Sequence, residues 1–175
     1  MIISKQPLEG AKCKVNWETA CRPKELGGVD VLNIEKFVRA LRLHWPWLEW
    51  QYKKHIWVGS GKPCTVEDMD LFYAATTIVV GDGLKTLFWE APWSGGRKPK
   101  DIAPLIFAAS KCKKWSVHKA MRNNAWIGKI VLDDDFFPFE HLAQFADLWW
   151  HLSSIALEEG VEDTITWKLS ANGKY

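Results

Sequence analysis

The sequence predicts an α+β fold, mainly helical with small antiparallel β-hairpins. Three observations carry this. Apolar residues recur every three or four positions over 32–45 and again after Pro138. Asp82-Gly83 and Asn172-Gly173 follow strand-like runs, as hairpin turns do. Gly/Pro clusters separate these segments. The chain has 175 residues, 47% apolar and 25% charged, which suits one ordinary core and excludes a disordered chain.

Taken in order, residues 1–20 are irregular at first. "KVNWETACRPKELGG" reads as a short helix or turn, ended by Pro23 and the Gly27-Gly28 pair. From Leu32 a helix follows, capped by Asn33, with Leu32, Ile34, Phe37, Val38, Leu41, Leu43 and Trp45 as one buried stripe. Lys36, Arg39 and Arg42 share its other face, and Pro46 is expected to end or kink it. "WPWLEWQYKKHIW" continues as an aromatic, basic segment, and "GSGKPC" is a loop. Thr65, with Asp68 three residues on, predicts a capping box and a helix over about 65–75.

"TTIVVGDGLKTLFWE" predicts a hairpin turning at Asp82-Gly83. "APWSGGRKPKDIAP" is a loop, and 101–110 suits a short helix. Ser116 caps another helix that ends near Asn123-Asn124. Pro138 starts the longest late helix, with Gly160 as its C′ residue. "DTITWKLSANGKY" is a strand and turn with no room for a return strand, and an unpaired strand is an open edge. The expectation is therefore a single fragment-like region, 1–175, in three parts: 1–63, 64–128 and 129–175.

Formal net charge is +2, but the parts carry +5, +3 and −6. Such asymmetry suits a surface that faces a polyanion, with an acidic end used differently. Most of the twelve tryptophans are expected to be half-buried, each indole N–H seeking a partner. No run approaches the roughly 18 apolar residues of a membrane span, and "MIISKQPLEG" lacks the apolar region of a signal peptide. An intracellular location, cytoplasmic or nuclear, and no membrane partner are expected. Cys13, Cys21, Cys64 and Cys112 form no C-x-x-C pair and no His pair has zinc-finger spacing, so reduced, mostly buried thiols are expected, with no metal or cofactor.

Several motifs suggest chemistry. Asp133, Asp134 and Asp135 could hold divalent metal, though an acidic loop before a helix explains them better. "GSGK" and "GDG" fall short of a phosphate loop, since Lys62 precedes Pro63, and both read as turns. His151 and Ser154 are helical neighbours, with no third group to orient them. His44, His55, His118 and His141 are isolated. The stretch 97–122 is more telling. It holds Arg97, Lys98, Lys100, Lys111, Lys113, Lys114, Lys119 and Arg122 against Asp101 alone, with Trp115 beside the lysine cluster. Lysines neutralise phosphates and an exposed indole stacks on bases, whereas a solubilising face would turn Trp115 inward.

"VNWETACRPKELGGVDVLNIEKFVRALRLHWPWLEW" resembles the segment that follows the polymerase core in plant LINE-type, non-LTR retrotransposon reverse transcriptases. The matching positions are Trp17, Cys21, Pro23, Lys24, Gly27, Gly28, Ala40, Leu41, Trp45 and Trp47, with Val29-Asp30 where that family usually has Leu-Gly. "VGDGLKTLFWEAPWSGGRKPKDIAPLIF", "WSVHKAMRNNAWI" and "DTITWKLSANGKY" are similar to later family segments in the same order. The likeness spans about Lys12 to Tyr175. It implies the connector between the polymerase and a downstream zinc-binding module, with neither the Tyr/Phe-Ala-Asp-Asp motif nor that module in this stretch. No catalytic residue carries over, so the chain is expected not to be an enzyme by itself. RNA or an RNA–DNA hybrid is the expected partner. Lys24, Arg39 and Arg42, chosen from charge and position, and Lys111, Lys113, Lys114 and Trp115 are the candidate contacts. A protein-interaction module, or an inert relic of a decayed element, is the alternative.

Overall fold

The computed structural model describes residues 16–52, 55, 56, 58, 61, 63–131 and 138–175. Asp133–Asp135, Lys62 and Cys13 lie outside them. Seven α-helices and one two-stranded antiparallel sheet occur among the described residues, an α+β and mainly helical architecture. The chain divides into two compact units, 1–41 and 42–175.

In the first unit, helix α1 (Trp17–Ala20) is capped by Asn16, whose side chain accepts from Glu18 N at 2.9 Å. A 3-10 turn over Lys24–Leu26 ends on Gly27 at φ +75°. The chain then doubles back, Val29 N donating to Ala20 O and Asp30 N to Arg22 O. A Cβ on Gly28 would lie 1.8 Å from the Arg22 carbonyl oxygen, so the second glycine is a matter of space. Helix α2 (Ile34–Gln51) starts on the expected cap, Lys36 N donating to Asn33 Oδ1 at 3.1 Å.

Two expectations for α2 need correction. The stripe Leu32, Ile34, Phe37, Val38, Leu41 and Trp45 is not buried but 40–61% exposed. Ala20 is the only buried residue among those described in the first unit, and so short a segment cannot build a core. Burial begins with Leu43, Pro46 and Trp47. Pro46 also does not end the helix. A proline there has no N–H for the carbonyl four residues back, that of Arg42. The Cys64 thiol lies 3.0 Å from that oxygen and donates to it instead. Cys64→Ala is expected to cost about 1 kcal/mol by leaving the carbonyl unsatisfied. Cys64→Ser should retain most of the stability, and denaturant midpoints of the two variants check this. An alanine variant as stable as the parent would refute the role.

In the second unit, helix α3 (Val66–Ala75) begins with the predicted capping box: Asp68 N donates to Thr65 Oγ1, and Thr65 N to Asp68 Oδ2. Strand β1 (Thr76–Val79) follows directly. It forms no hairpin across Asp82-Gly83. Its partner is β2 (Thr164–Trp167), in the register Thr76↔Trp167 to Val79↔Thr164. The strand expected to be unpaired thus has a partner. Past β2 the chain turns at Gly173 (φ +68°), whose carbonyl accepts from Trp167 N.

Between the strands lie α4 (Pro99–Ile102), α5 (Pro104–Ala109), α6 (Val117–Met121) and α7 (Phe139–Ser153). The single helix expected over 101–110 is two, with proline at the first position of each. Ser116 caps α6, accepting from Lys119 N. Helix α7 stops well short of Gly160, because the segment after it serves the 81–86 loop: Glu158 N donates to Gly81 O, and Val161 O accepts from Asp82 N.

One core gathers Phe88, Trp89, Trp126, Ile106, Val117 and Leu148, all 0% exposed. A smaller cluster joins Leu43, Trp47, Phe72, Ala75 and Trp167, with the Tyr175 ring 4.6 Å from that of Trp167. Most of the described tryptophans are therefore not half-buried: only Trp50 and Trp115 are. Trp89 and Trp126 are enclosed, while Trp150 is 77% exposed. Of the described cysteines only Cys112 is buried.

Candidate nucleic-acid interface

Helix α5 ends at Ala109, and the chain turns outward at Ser110. The Ser110 hydroxyl accepts from Cys112 N at 3.2 Å, which starts the turn. Ser116 then caps α6, so the intervening Lys111, Lys113 and Lys114 project from a loop anchored at both ends. Past α6, Asn123 and Asn124 both take left-handed backbone (φ +53°), a conformation asparagine tolerates, and Trp126 plugs into the core. The chain thereby returns antiparallel to Ser110, with Lys111 N donating to Lys129 O and Val131 N to Ala109 O.

This path carries a run of exposed cations and one half-buried indole. Lys111, Lys113, Lys114, Lys119, Arg122 and Lys129 line it, and Trp115 is partly buried. Lys119 Nζ lies 4.4 Å from the centre of the Trp115 ring, and Lys129 Nζ 5.8 Å. Lys113 Nζ sits 5.1 Å from the Phe107 ring centre. Residues 102–131 contain no Asp or Glu. Among the described residues no carboxylate pairs with any of the six. Lys129 is not among the sequence candidates. Only its pairing beside Lys111 brings it to the patch, and nothing local in the sequence announces that pairing.

The other basic residues of 97–122 are engaged elsewhere. Lys98 Nζ is 2.6 Å from Asp70 and lies over the Tyr73 ring, Lys100 pairs with Glu90, and Arg97 reaches His151. Arg42, expected to face nucleic acid, holds Asp68 instead at 2.6 Å. That guanidinium, together with the bonds from Thr65 and against the opposing effect of burial, brings the Asp68 carboxyl down to about 2. Lys24 and Arg39 are exposed on the first unit.

Two further motifs, "GDG" and the Ser153-Ser154 pair, are structural. The "GDG" turn resembles an anion cradle, and the anion it holds is the protein's own. Asp163, 3% exposed, accepts from Gly81 N and Gly83 N on one oxygen. Its other oxygen accepts from Lys85 N, Thr86 N and Thr86 Oγ1, all within 2.9 Å. A side chain on Gly83 (φ +73°) would meet His118 N at 2.7 Å. The Ser153 and Ser154 hydroxyls donate to the carbonyls of Trp150 and His151, so neither is poised against the imidazole. Among the described residues no group of three His, Cys, Asp or Glu could hold a metal ion. None of their helices is long and apolar enough to cross a membrane.

No protein-family model matches the chain, and neither a curated protein nor a solved structure is found to match it.

Proposed function

We propose that this chain is a non-catalytic, nucleic-acid-associated segment of a retrotransposon-type RNA-directed DNA polymerase. The observation that carries the nucleic-acid part is the set of six exposed cations over 111–129, two of them on the Trp115 ring, with no carboxylate paired to any of them among the described residues. Such a surface attracts a polyanion by releasing its counterions. The retrotransposon part rests on the resemblance, whose motifs run in order from Trp17 to Tyr175.

The test is a tryptophan-fluorescence titration with a short RNA–DNA hybrid, repeated at several salt concentrations. Saturable binding that weakens steeply with salt is expected. Charge reversal of Lys111, Lys113 and Lys114 to Glu should lower affinity about a hundredfold at low salt. It should also flatten the log–log salt slope by about one for each phosphate no longer neutralised. A cooperatively folded protein that binds no nucleic acid would defeat the reading. Primer extension with Mg²⁺ should give no product. Product that a triple Asp133/Asp134/Asp135→Asn variant loses would overturn the non-catalytic part.

A second reading, a protein-interaction module, has its own observation. Phe139, Leu142, Trp149 and Trp150 leave an exposed apolar strip along α7. Binding through that strip would be nearly indifferent to salt, which separates the two.

A further inference from the structure

We infer that the patch grips the phosphate backbone of duplex nucleic acid without base stacking, and that Trp115 is a positioning residue for its cations. This rests on the nucleic-acid reading above and specifies its ligand. An indole that stacks on bases must present an open face. Trp115 is partly buried, and two ammonium groups lie over its ring, at 4.4 and 5.8 Å. A base approaching the ring on the side of Lys119 or Lys129 would have to displace that lysine from a cation–π contact. Lys113 is held in the same way over Phe107, at 5.1 Å. Three of the six cations are thus fixed by aromatic rings. A free lysine is costly to order because its side chain loses rotamer freedom, and a lysine already resting on a ring has less to lose when a phosphate arrives.

Electrostatics then chooses the form of the ligand. A duplex carries one charge per about 1.7 Å of axis and releases more counterion per phosphate neutralised than a single strand, so a patch that offers charge without an open ring favours the duplex. No base edge is read, which makes the binding indifferent to sequence.

The experiment is fluorescence anisotropy of the full chain with end-labelled ligands of about 20 nucleotides: an RNA–DNA hybrid, duplex DNA, and single-stranded oligo-dA and oligo-dT. The duplexes should bind about tenfold or more tighter than the single strands, with oligo-dA and oligo-dT within about threefold of each other. Six neutralised phosphates set a ceiling of about five on the log–log salt slope for duplex, or about a thousandfold loss between roughly 50 and 200 mM salt. Trp115→Phe, which keeps a ring beneath the lysines, should hold duplex affinity within about threefold. Trp115→Leu, which removes the ring, should weaken duplex binding further while leaving the preference for duplex intact. Single strands binding as tightly as duplex, or a loss of about tenfold confined to single strands in Trp115→Phe, would overturn the inference and leave the nucleic-acid reading standing. Folded protein that binds none of the four ligands would overturn both.

Discussion

Asp163→Ala should come close to unfolding the protein, with a loss of about 5 kcal/mol in chemical denaturation and a fall in Tm of about 10 °C or more. The loop 81–86 has no ladder of its own. Its backbone N–H groups at Gly81, Gly83, Lys85 and Thr86 all converge on one buried carboxylate from the segment before β2. Removing it orphans these four donors and the Thr86 hydroxyl at once, four of the five in buried bonds. Each orphan costs about 1–3 kcal/mol before water enters. Typical stabilities of about 5–15 kcal/mol leave little margin. Asp163→Asn should be nearly as damaging. Both oxygens accept, so whichever way the amide is turned its NH₂ meets N–H donors. An asparagine variant within about 1 kcal/mol of the parent would show that the cradle does not hold the loop.

The same geometry fixes the response to pH. Burial raises the Asp163 pKa, but the bonds from Gly81, Thr86 and Gly83 outweigh it and leave the group below the ordinary carboxylate range. A group depressed in the folded state contributes stability that is present above its unfolded pKa of about 3.9 and is lost as pH falls through the folded value. Asp68, at about 2, acts in the same direction. The gap in stability between the parent and Asp163→Asn should therefore be full at neutral pH and narrow only below about pH 4.

This carboxylate also shows where the sequence stops being readable. The caps at Asn33, Thr65 and Ser116 are legible because each bond spans three residues and depends on residue type alone. Asp82-Gly83 between two apolar runs carries the local signal of a hairpin. The competing interaction comes from Asp163, some 80 residues away, and it takes the Gly81 and Thr86 N–H groups that a hairpin there would use. Pro46 misleads for a related reason: the compensating thiol of Cys64 lies in another segment. At the candidate interface the cluster Lys111, Lys113, Lys114 and Trp115 is visible as composition. Lys129, and its ammonium group over the indole, depend on the pairing of Ser110 with Ile130. Arg42 reads as a phosphate contact because charge and helical face are all that sequence offers there. Its acidic partner, Asp68, sits on α3.

The second large effect is expected in the core, where two substitutions at one position should part company. Trp126 is 0% exposed and touches Phe88, Trp89 and Phe145, with ring centres 5.5–6.3 Å away. Trp126→Ala would empty the middle of this cluster and should cost about 3–5 kcal/mol. The indole N–H, however, finds no acceptor among the described residues. A buried donor without a partner is itself a penalty of about 1–3 kcal/mol, which the native protein already carries. Trp126→Phe removes that donor while keeping an aromatic ring against the three neighbours. The relief should offset much of the lost volume, so phenylalanine is expected to cost no more than about 1–2 kcal/mol. Urea titrations of both variants decide it. If Trp126→Phe is as damaging as Trp126→Ala, the N–H has a stabilising role after all, most simply against the face of a neighbouring ring. If phenylalanine is tolerated, the indole is held at this position for its size, and the core around 88–126 is a packing of aromatic volumes in which the Trp126 N–H, like that of Trp89, is carried as a burden.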